Sequence, residues 1–340
     1  MVVVVTGASG YIGSHIVSNL LARGEAVRAT VRDASDPERV SHLEGLLVGE
    51  GGSLEIVEMD LFDAVSVNAA IDGCSDLIHT AASVIVRSRD PQRKIVDPSV
   101  IGTRNVVAAV EKAGTVERFV HTSSTAAIRP MNYQNGTTLT TETWADDATL
   151  EGNPYGLAKV SSERIVRDWH ASQPQDSRPR LVTIHPCMVF GPPMSPRHLR
   201  GSLALLMAMI RRETPLNLPM QVSIVDVRDV AEAHIRALTG GEDEGRYLVV
   251  AGDMMMEDMA KELKKAHPER KWAIRTAPYW FAVIAAIFHP KISVSWARNH
   301  LRKKLFWDAS PAERDLDMVW KSPVESLLDT TPAIFENGWD

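Results

Sequence analysis

Three shortages bound what this chain can be. It carries two cysteines in 340 residues, Cys74 and Cys187, far apart in the sequence. Two such thiols build no disulfide framework and offer no Cys-x-x-Cys metal spacing, so no metal is expected and a reducing, cytoplasmic setting is the default. Positive charge is also short: 37 Lys and Arg stand against 43 Asp and Glu, a formal net charge of −6. That sign argues against nucleic acid as a partner. The densest basic run, Arg298 to Lys304, is brief and reads as a solvated helix face. Long apolar runs are missing as well. Trp280 to Phe288 is closed by His289-Pro290 and is too short to span a bilayer, so it reads as a core or pocket-lining helix and no membrane partner is expected. The opening MVVVVTG shows neither a basic leader nor a cleavage site.

What is present is a rhythm. Short β-branched runs at Val2 to Thr6, Ala26 to Val31, Leu54 to Met59, Asp76 to Thr80 and Arg118 to Thr122 alternate with helical patterns, the clearest at Gly102 to Ala113. Unbroken apolar strands separated by helices imply parallel crossovers with both sheet faces covered. The expected fold is therefore α/β, a Rossmann-type doubly wound parallel sheet with a smaller, interleaved C-terminal substrate lobe. Residues 1–185 would form the dinucleotide-binding domain and residues 186–340 mainly the substrate lobe. The sheet would be revisited near 222–250, at Val222 to Val225 and Arg246 to Val250. Ala126 to Asn153, rich in Thr, Asn and Gly, reads as a long substrate-handling loop, followed by a helix from Tyr155 to Ala171.

Two segments carry chemistry. Thr6-Gly7-Ala8-Ser9-Gly10-Tyr11-Ile12-Gly13 follows the first strand and opens the first helix. Gly7 permits the tight turn, Gly10 lets backbone approach a pyrophosphate, and Gly13 lets helix and strand pack closely, with the phosphates at the helix N-terminus. At the end of the second strand stand Arg32 and Asp33, with Arg39 nearby. An arginine there suits the 2′-phosphate of NADP(H), whereas Asp33, one residue on, would suit the ribose hydroxyls of NAD. Asp60 and Leu61, ending the third strand, are placed to meet adenine. The second segment sets Tyr155 and Lys159 four residues apart on one helix face, so that a cation can draw a phenol's pKa down toward neutrality. Ser124, at the end of the fifth strand, can orient a carbonyl for proton donation by Tyr155.

Together with Pro186-x-x-Val189-x-Gly191-Pro192 and the segment Val225 to His234, these motifs resemble the extended short-chain dehydrogenases/reductases over nearly the whole chain to about residue 250. Ala26 to Asp33 is similar to the dihydroflavonol 4-reductase-like branch, which includes carbonyl and aldehyde reductases. The resemblance implies Tyr155 as general acid, Lys159 as pKa tuner and ribose contact, and Ser124 as carbonyl orienter. It places Thr80, Ala81, Ala82 and Thr122 along the nicotinamide, closes Pro186 to Val189 over it, and turns Ser83, Val84, Thr125, Arg129 and Met188 toward the substrate. The implied reaction is NADPH-dependent reduction of a small carbonyl compound, or the reverse, by a monomer or homodimer. Plant flavonoid reductases carry asparagine where Arg129 stands, and the cinnamoyl-CoA reductase signature N-W-Y-C-Y-G-K is replaced by Asn153-Pro-Tyr-Gly-Leu-Ala-Lys159, so neither plant activity is read here. A 3β-hydroxysteroid dehydrogenase, an NAD-dependent sugar-nucleotide epimerase and a non-catalytic NADP sensor are the alternatives. His185 has no assigned role beyond a structural one.

Overall fold

The computed structural model describes residues 1–82, 88–288 and 294–340. Ser83 and Val84, expected beside the substrate, lie outside the described residues, as do His289 and Pro290.

β1 (Val2–Thr6) is almost wholly apolar and buried, and feeds α1 (Tyr11–Ala22) through the glycine turn. β2 (Ala26–Val31), α2 (Pro37–Glu44), β3 (Ser53–Glu58), α3 (Ala64–Ile71) and β4 (Asp76–His79) continue the alternation. The sequence marks these helix starts with carboxylates. Asp36 accepts from Glu38 N at 3.0 Å with Pro37 at the first position, and Asp63 accepts from Val65 N at 3.0 Å. α4 (Asp97–Ala113) ends at Gly114, whose φ of 61° terminates it in the left-handed conformation. β5 (Arg118–Thr122) follows.

The remaining elements are β6 (Thr137–Leu139), α5 (Pro154–Ser172), β7 (Arg180–Pro186), β8 (Met188–Phe190), α6 (Leu203–Ile210), β9 (Gln221–Asp226), α7 (Val227–Arg236), β10 (Gly245–Val249), β11 (Gly252–Met255), α8 (Met256–Ala266), α9 (Tyr279–Phe288), α10 (Val294–His300), β12 (Leu305–Trp307), α11 (Ser310–Asp315) and α12 (Pro323–Glu336). Seven strands form one sheet in the order β10-β7-β5-β4-β1-β2-β3, every pair parallel. The order reverses at β1, so the crevice beyond the carboxyl ends of β1 and β4 is the place for a ligand. Both faces are packed: α1, α7 and the sheet enclose Ile16, Leu20, Val120, Ile184 and Val230, while α3, α4 and α5 cover Leu77, Phe119 and Leu181.

Three expectations are corrected. Val222 to Val225 does not return to the main sheet. It lies in β9, the centre of a separate three-stranded sheet with β8 parallel on one side and β11 antiparallel on the other. A buried apolar strand states its burial but not its partner, and here both edges of β9 are taken within the small sheet. Arg246 to Val250 does return, as the edge strand β10. The stretch from Ala126 to Asn153 is not all loop, since Thr137–Leu139 pairs in parallel with Leu305–Trp307. α9 is half outside the core: Ala282 and Ala286 are buried, but Trp280 and Ile287 are each 64% exposed. Among the described residues no helix is long and apolar enough to cross a membrane.

Candidate active site

The glycine turn is built by exclusion. Gly7 has φ of +68°, and a Cβ there would sit 2.8 Å from Ala81 Cα. A Cβ on Gly13 would stand 2.3 Å from the Gly7 carbonyl oxygen. The turn is closed by Gly10 N donating to Gly7 O at 2.9 Å, and Tyr11 anchors it to the segment after β8 by donating its hydroxyl to Gly191 O at 2.6 Å. The first turn of α1 carries no acidic residue, which leaves its positive end unopposed.

In front of this turn opens a cleft of about 610 Å³. Gly7, Ser9, Gly10, Tyr11, Ile12 and Gly13 form one wall, and Leu61, Thr80, Ala81, Ala82 and Val189 another. Arg32 and Arg39 line the same cleft, near the end of β2. Arg39 is steadied by Asp36 at 2.9 Å. Asp33 does not line the cleft. Its carboxylate accepts from Ser35 N and Ser35 Oγ, bonds that hold its pKa below the usual range. Arg197 and Arg200 complete a group of four arginines, and His198 reaches over the turn to Ser9 O at 3.2 Å. Sequence reasoning missed these three. Their signal is Ser195-Pro196, a helix-start pair whose hydroxyl accepts from Arg197 N, directly before a basic cluster. Asp60 is not in the cleft wall, because its carboxylate caps Phe62 N at 2.9 Å. Four guanidinium groups around a glycine turn at a helix N-terminus fit a phosphorylated dinucleotide.

Beyond the cleft, at the end of β5, the catalytic candidates meet. Asn153 caps α5 by accepting from Gly156 N at 2.9 Å, with Pro154 at the first position, and this sets Tyr155 in the first turn. The Ser124 hydroxyl lies near enough to Tyr155 to pull the phenol's pKa down. The Ser124 hydroxyl also meets Ala126 N at 3.1 Å and Pro186 O at 3.5 Å, and Thr125 Oγ1 donates to the same Pro186 carbonyl at 3.3 Å. Lys159, buried one turn along α5, donates to the carbonyl of Thr122 at 3.1 Å. Thr122 contributes only that carbonyl here, since its hydroxyl is paired with His234 Nε2 at 2.8 Å inside the core. Met188 pairs with Ile224 at the start of the small sheet.

The electrostatics differ from the sequence expectation in one respect. Burial raises the Tyr155 pKa above its ordinary value, and the Ser124 hydroxyl only partly offsets this, so the phenol is neutral. Lys159 directs its ammonium to the Thr122 carbonyl, and burial sets the net direction of the phenol's shift. Burial lowers Lys159 itself to about 8, against the pull of Glu163. His79 and His121, stacked beneath at 5.5 Å between ring centres, are held neutral by burial, His79 near 3. Arg129 follows Thr125 by one helical turn, its N–H bonded to Thr125 O at 2.9 Å, so both side chains leave from one face. Its guanidinium is partly buried and, among the described residues, pairs with no carboxylate. A second cluster, His170, Asp243 and Glu244, gathers beside the start of β10. Arg178 already places its guanidinium 3.2 Å from Glu244 and 3.5 Å from Asp243 there.

A doubly wound parallel sheet with a glycine-turn cleft at the end of β1 is the framework of the dinucleotide-dependent extended short-chain dehydrogenases/reductases, and the comparisons place the chain in that class. The chain belongs to the NAD dependent epimerase/dehydratase family, whose model matches residues 3–251. It is 31% identical over 272 residues to a bifunctional dihydroflavonol 4-reductase/flavanone 4-reductase of Pyrus communis, covering 78% of this chain and 77% of that protein. It is 34% identical over 272 residues to a cinnamoyl-CoA reductase of Medicago truncatula, covering 78% and 81%. Its fold matches yeast methylglyoxal/isovaleraldehyde reductase complexed with NADPH, with a TM-score of 0.79 at 24% identity over 100% of both chains.

Proposed function

We propose that this protein reduces a small ketone or aldehyde to an alcohol with NADPH, or runs the reverse reaction. The observation that carries the reading is the convergence at the end of β5 of Ser124, the Tyr155 phenol and Lys159, whose ammonium is fixed on the Thr122 carbonyl at 3.1 Å, with an arginine-lined dinucleotide cleft alongside. The bound dinucleotide supplies the hydride for the carbonyl carbon. Tyr155, neutral through burial, donates its phenolic proton to the carbonyl oxygen, so that ketone, hydride and proton sum to the alcohol. Ser124 aligns the oxygen. The Lys159 cation favours the phenolate left after proton transfer. Arg32 and Arg39 favour NADPH over NADH, and the engagement of Asp33 by Ser35 removes the competing carboxylate. The relatives' names support the reaction class, being reductases of dihydroflavonol, flavanone and cinnamoyl-CoA. Arg129, which among the described residues pairs with no carboxylate, suits a substrate with an acceptor oxygen or carboxylate several bonds from the reacting carbonyl.

The test follows NADPH absorbance with aldehydes, α-diketones, aryl ketones, dihydroflavonols and 3-ketosteroids, each also with NADH. Turnover of one class with NADPH preferred is the expected result. Tight NADPH binding with no turnover of any carbonyl would overturn the reading in favour of a sensor.

A further inference from the structure

We propose that Glu163 is a positioning residue for this site, a buried carboxylate that clamps the catalytic helix to three strands and the pocket loop and sets a negative charge one turn beyond Lys159. For its effect on turnover the inference rests on the function proposed above; its geometry stands apart from that reading. Glu163 is 0% exposed. Its Oε2 accepts from Ser123 Oγ at 2.6 Å and from His185 Nε2 at 2.8 Å, and its Oε1 accepts from Arg246 Nε at 2.6 Å. Each partner abuts the site. Ser123 precedes Ser124 at the end of β5. His185 precedes Pro186, whose carbonyl receives the Ser124 and Thr125 hydroxyls. Arg246 passes from β10 to the loop, donating to the carbonyls of Thr141 and, at 3.3 Å, Thr143, and laying its guanidinium 3.8 Å over the Trp144 ring.

A carboxylate buried to this depth is costly unless paired, and losing one partner leaves an uncompensated charge. Burial pushes the Glu163 carboxyl up, but His185 and Arg246 outweigh it and hold the pKa far below the usual range. Glu163 is therefore an anion throughout the working range. The groups facing Lys159 are Glu163 on its own helix, His79 from β4 and His121 from β5, and both histidines are neutral. Glu163 thus supplies the charge that opposes the loss of the Lys159 proton, while Arg246 carries the same anchorage out to the loop.

The experiment compares Glu163→Gln, Glu163→Asp and Arg246→Lys in the full chain. Two readouts are used: the Lys159 titration midpoint, by NMR of labelled lysine side chains, and the alkaline limb of kcat/KM. Glu163→Gln removes the charge and keeps the shape. Its midpoint and limb should both move to lower pH, with kcat down by about tenfold to a hundredfold through misplacement of Tyr155 and Lys159. Glu163→Asp keeps the charge but shortens the reach, so kcat should fall with the limb unmoved. Arg246→Lys keeps the cation but loses its fork to the loop, so KM should rise, hydrogen exchange at residues 141–148 should quicken, and the limb should stay. A purely structural Glu163 would lower Tm in the glutamine variant and leave midpoint and limb at wild-type values, which overturns the proposal. Should the glutamine variant not fold, a displaced limb in Glu163→Asp overturns it equally. If the wild type reduces no carbonyl, the proposed function fails while the Lys159 midpoint still decides the placement.

Discussion

The two halves of the ligand crevice are made differently. The dinucleotide side is largely a property of backbone: one contiguous turn, two glycines that tolerate no Cβ, and a helix N-terminus. The proposed substrate side is a property of side chains brought from afar. Ser124 and Thr125 meet Pro186, Arg246 reaches Thr141, and Lys303 donates to Tyr133 O at 3.1 Å. A backbone site is written locally and tolerates change elsewhere. A site assembled from long-range contacts depends on every element that carries one.

The comparison can be broken most sharply at Tyr155. Tyr155→Phe should cut kcat by about a hundredfold to ten-thousandfold, the usual worth of a general acid, while NADPH binding by fluorescence titration stays near wild type. Equal loss of both would mean that the halves are not separable. Next, Arg32→Ala should weaken NADPH by about 1.5–3 kcal/mol, the range for hydrogen bonds to a charged group, and leave NADH untouched. An equal loss for both dinucleotides would move the phosphate elsewhere, to Arg197 or Arg200. Gly13→Ala should cost about 1–3 kcal/mol of stability by forcing its Cβ against the Gly7 carbonyl, seen as a lower Tm with NADPH binding weakened alongside. The smallest effect is in pH. Lys159 must be cationic and has a folded pKa of about 8, below its ordinary 10.5, so kcat/KM for reduction should fall as pH rises through 8. The stability contribution runs the other way. The fold disfavours the lysine cation, so this group's penalty is full below pH 8 and fades as pH climbs toward 10.5. A flat rate profile across that window would remove Lys159 from the reacting group.

Legibility follows the same division. The strand–glycine–helix unit, Arg32 and Arg39, and the Tyr155–Lys159 spacing could be read because each rests on near neighbours in sequence. Arg197 and Arg200 could not be tied to the cleft, since nothing local in a Pro-rich stretch says that it folds back over residues 7–13. Val222 to Val225 was legible as a buried strand but not as a member of a second sheet, because strand partnership is set by what else competes for its edges. Asp60 and Asp33 show the same limit at atomic scale. Both occupy plausible ligand positions, yet the nearest backbone N–H groups take their carboxylates. The pKa of Tyr155 was misread for a related reason: burial is a tertiary quantity, and here it outweighs the neighbouring cation.

The β6–β12 pair has a consequence in time as well as in space. Lys304 N bonds Asn135 Oδ1 across 169 residues of chain, next to that pair. The glycine turn, by contrast, rests on strands drawn from the first 122 residues. Because a chain emerges from the ribosome N-terminus first, the nucleotide half can form while the strand that pairs with β6 is still unmade. Closing a span of that length is slow compared with local pairing. Pairing of β6 with β12 is thus a late step in biogenesis, and a translation product truncated before Leu305 would lose the partner of β6 while retaining every strand of the nucleotide half.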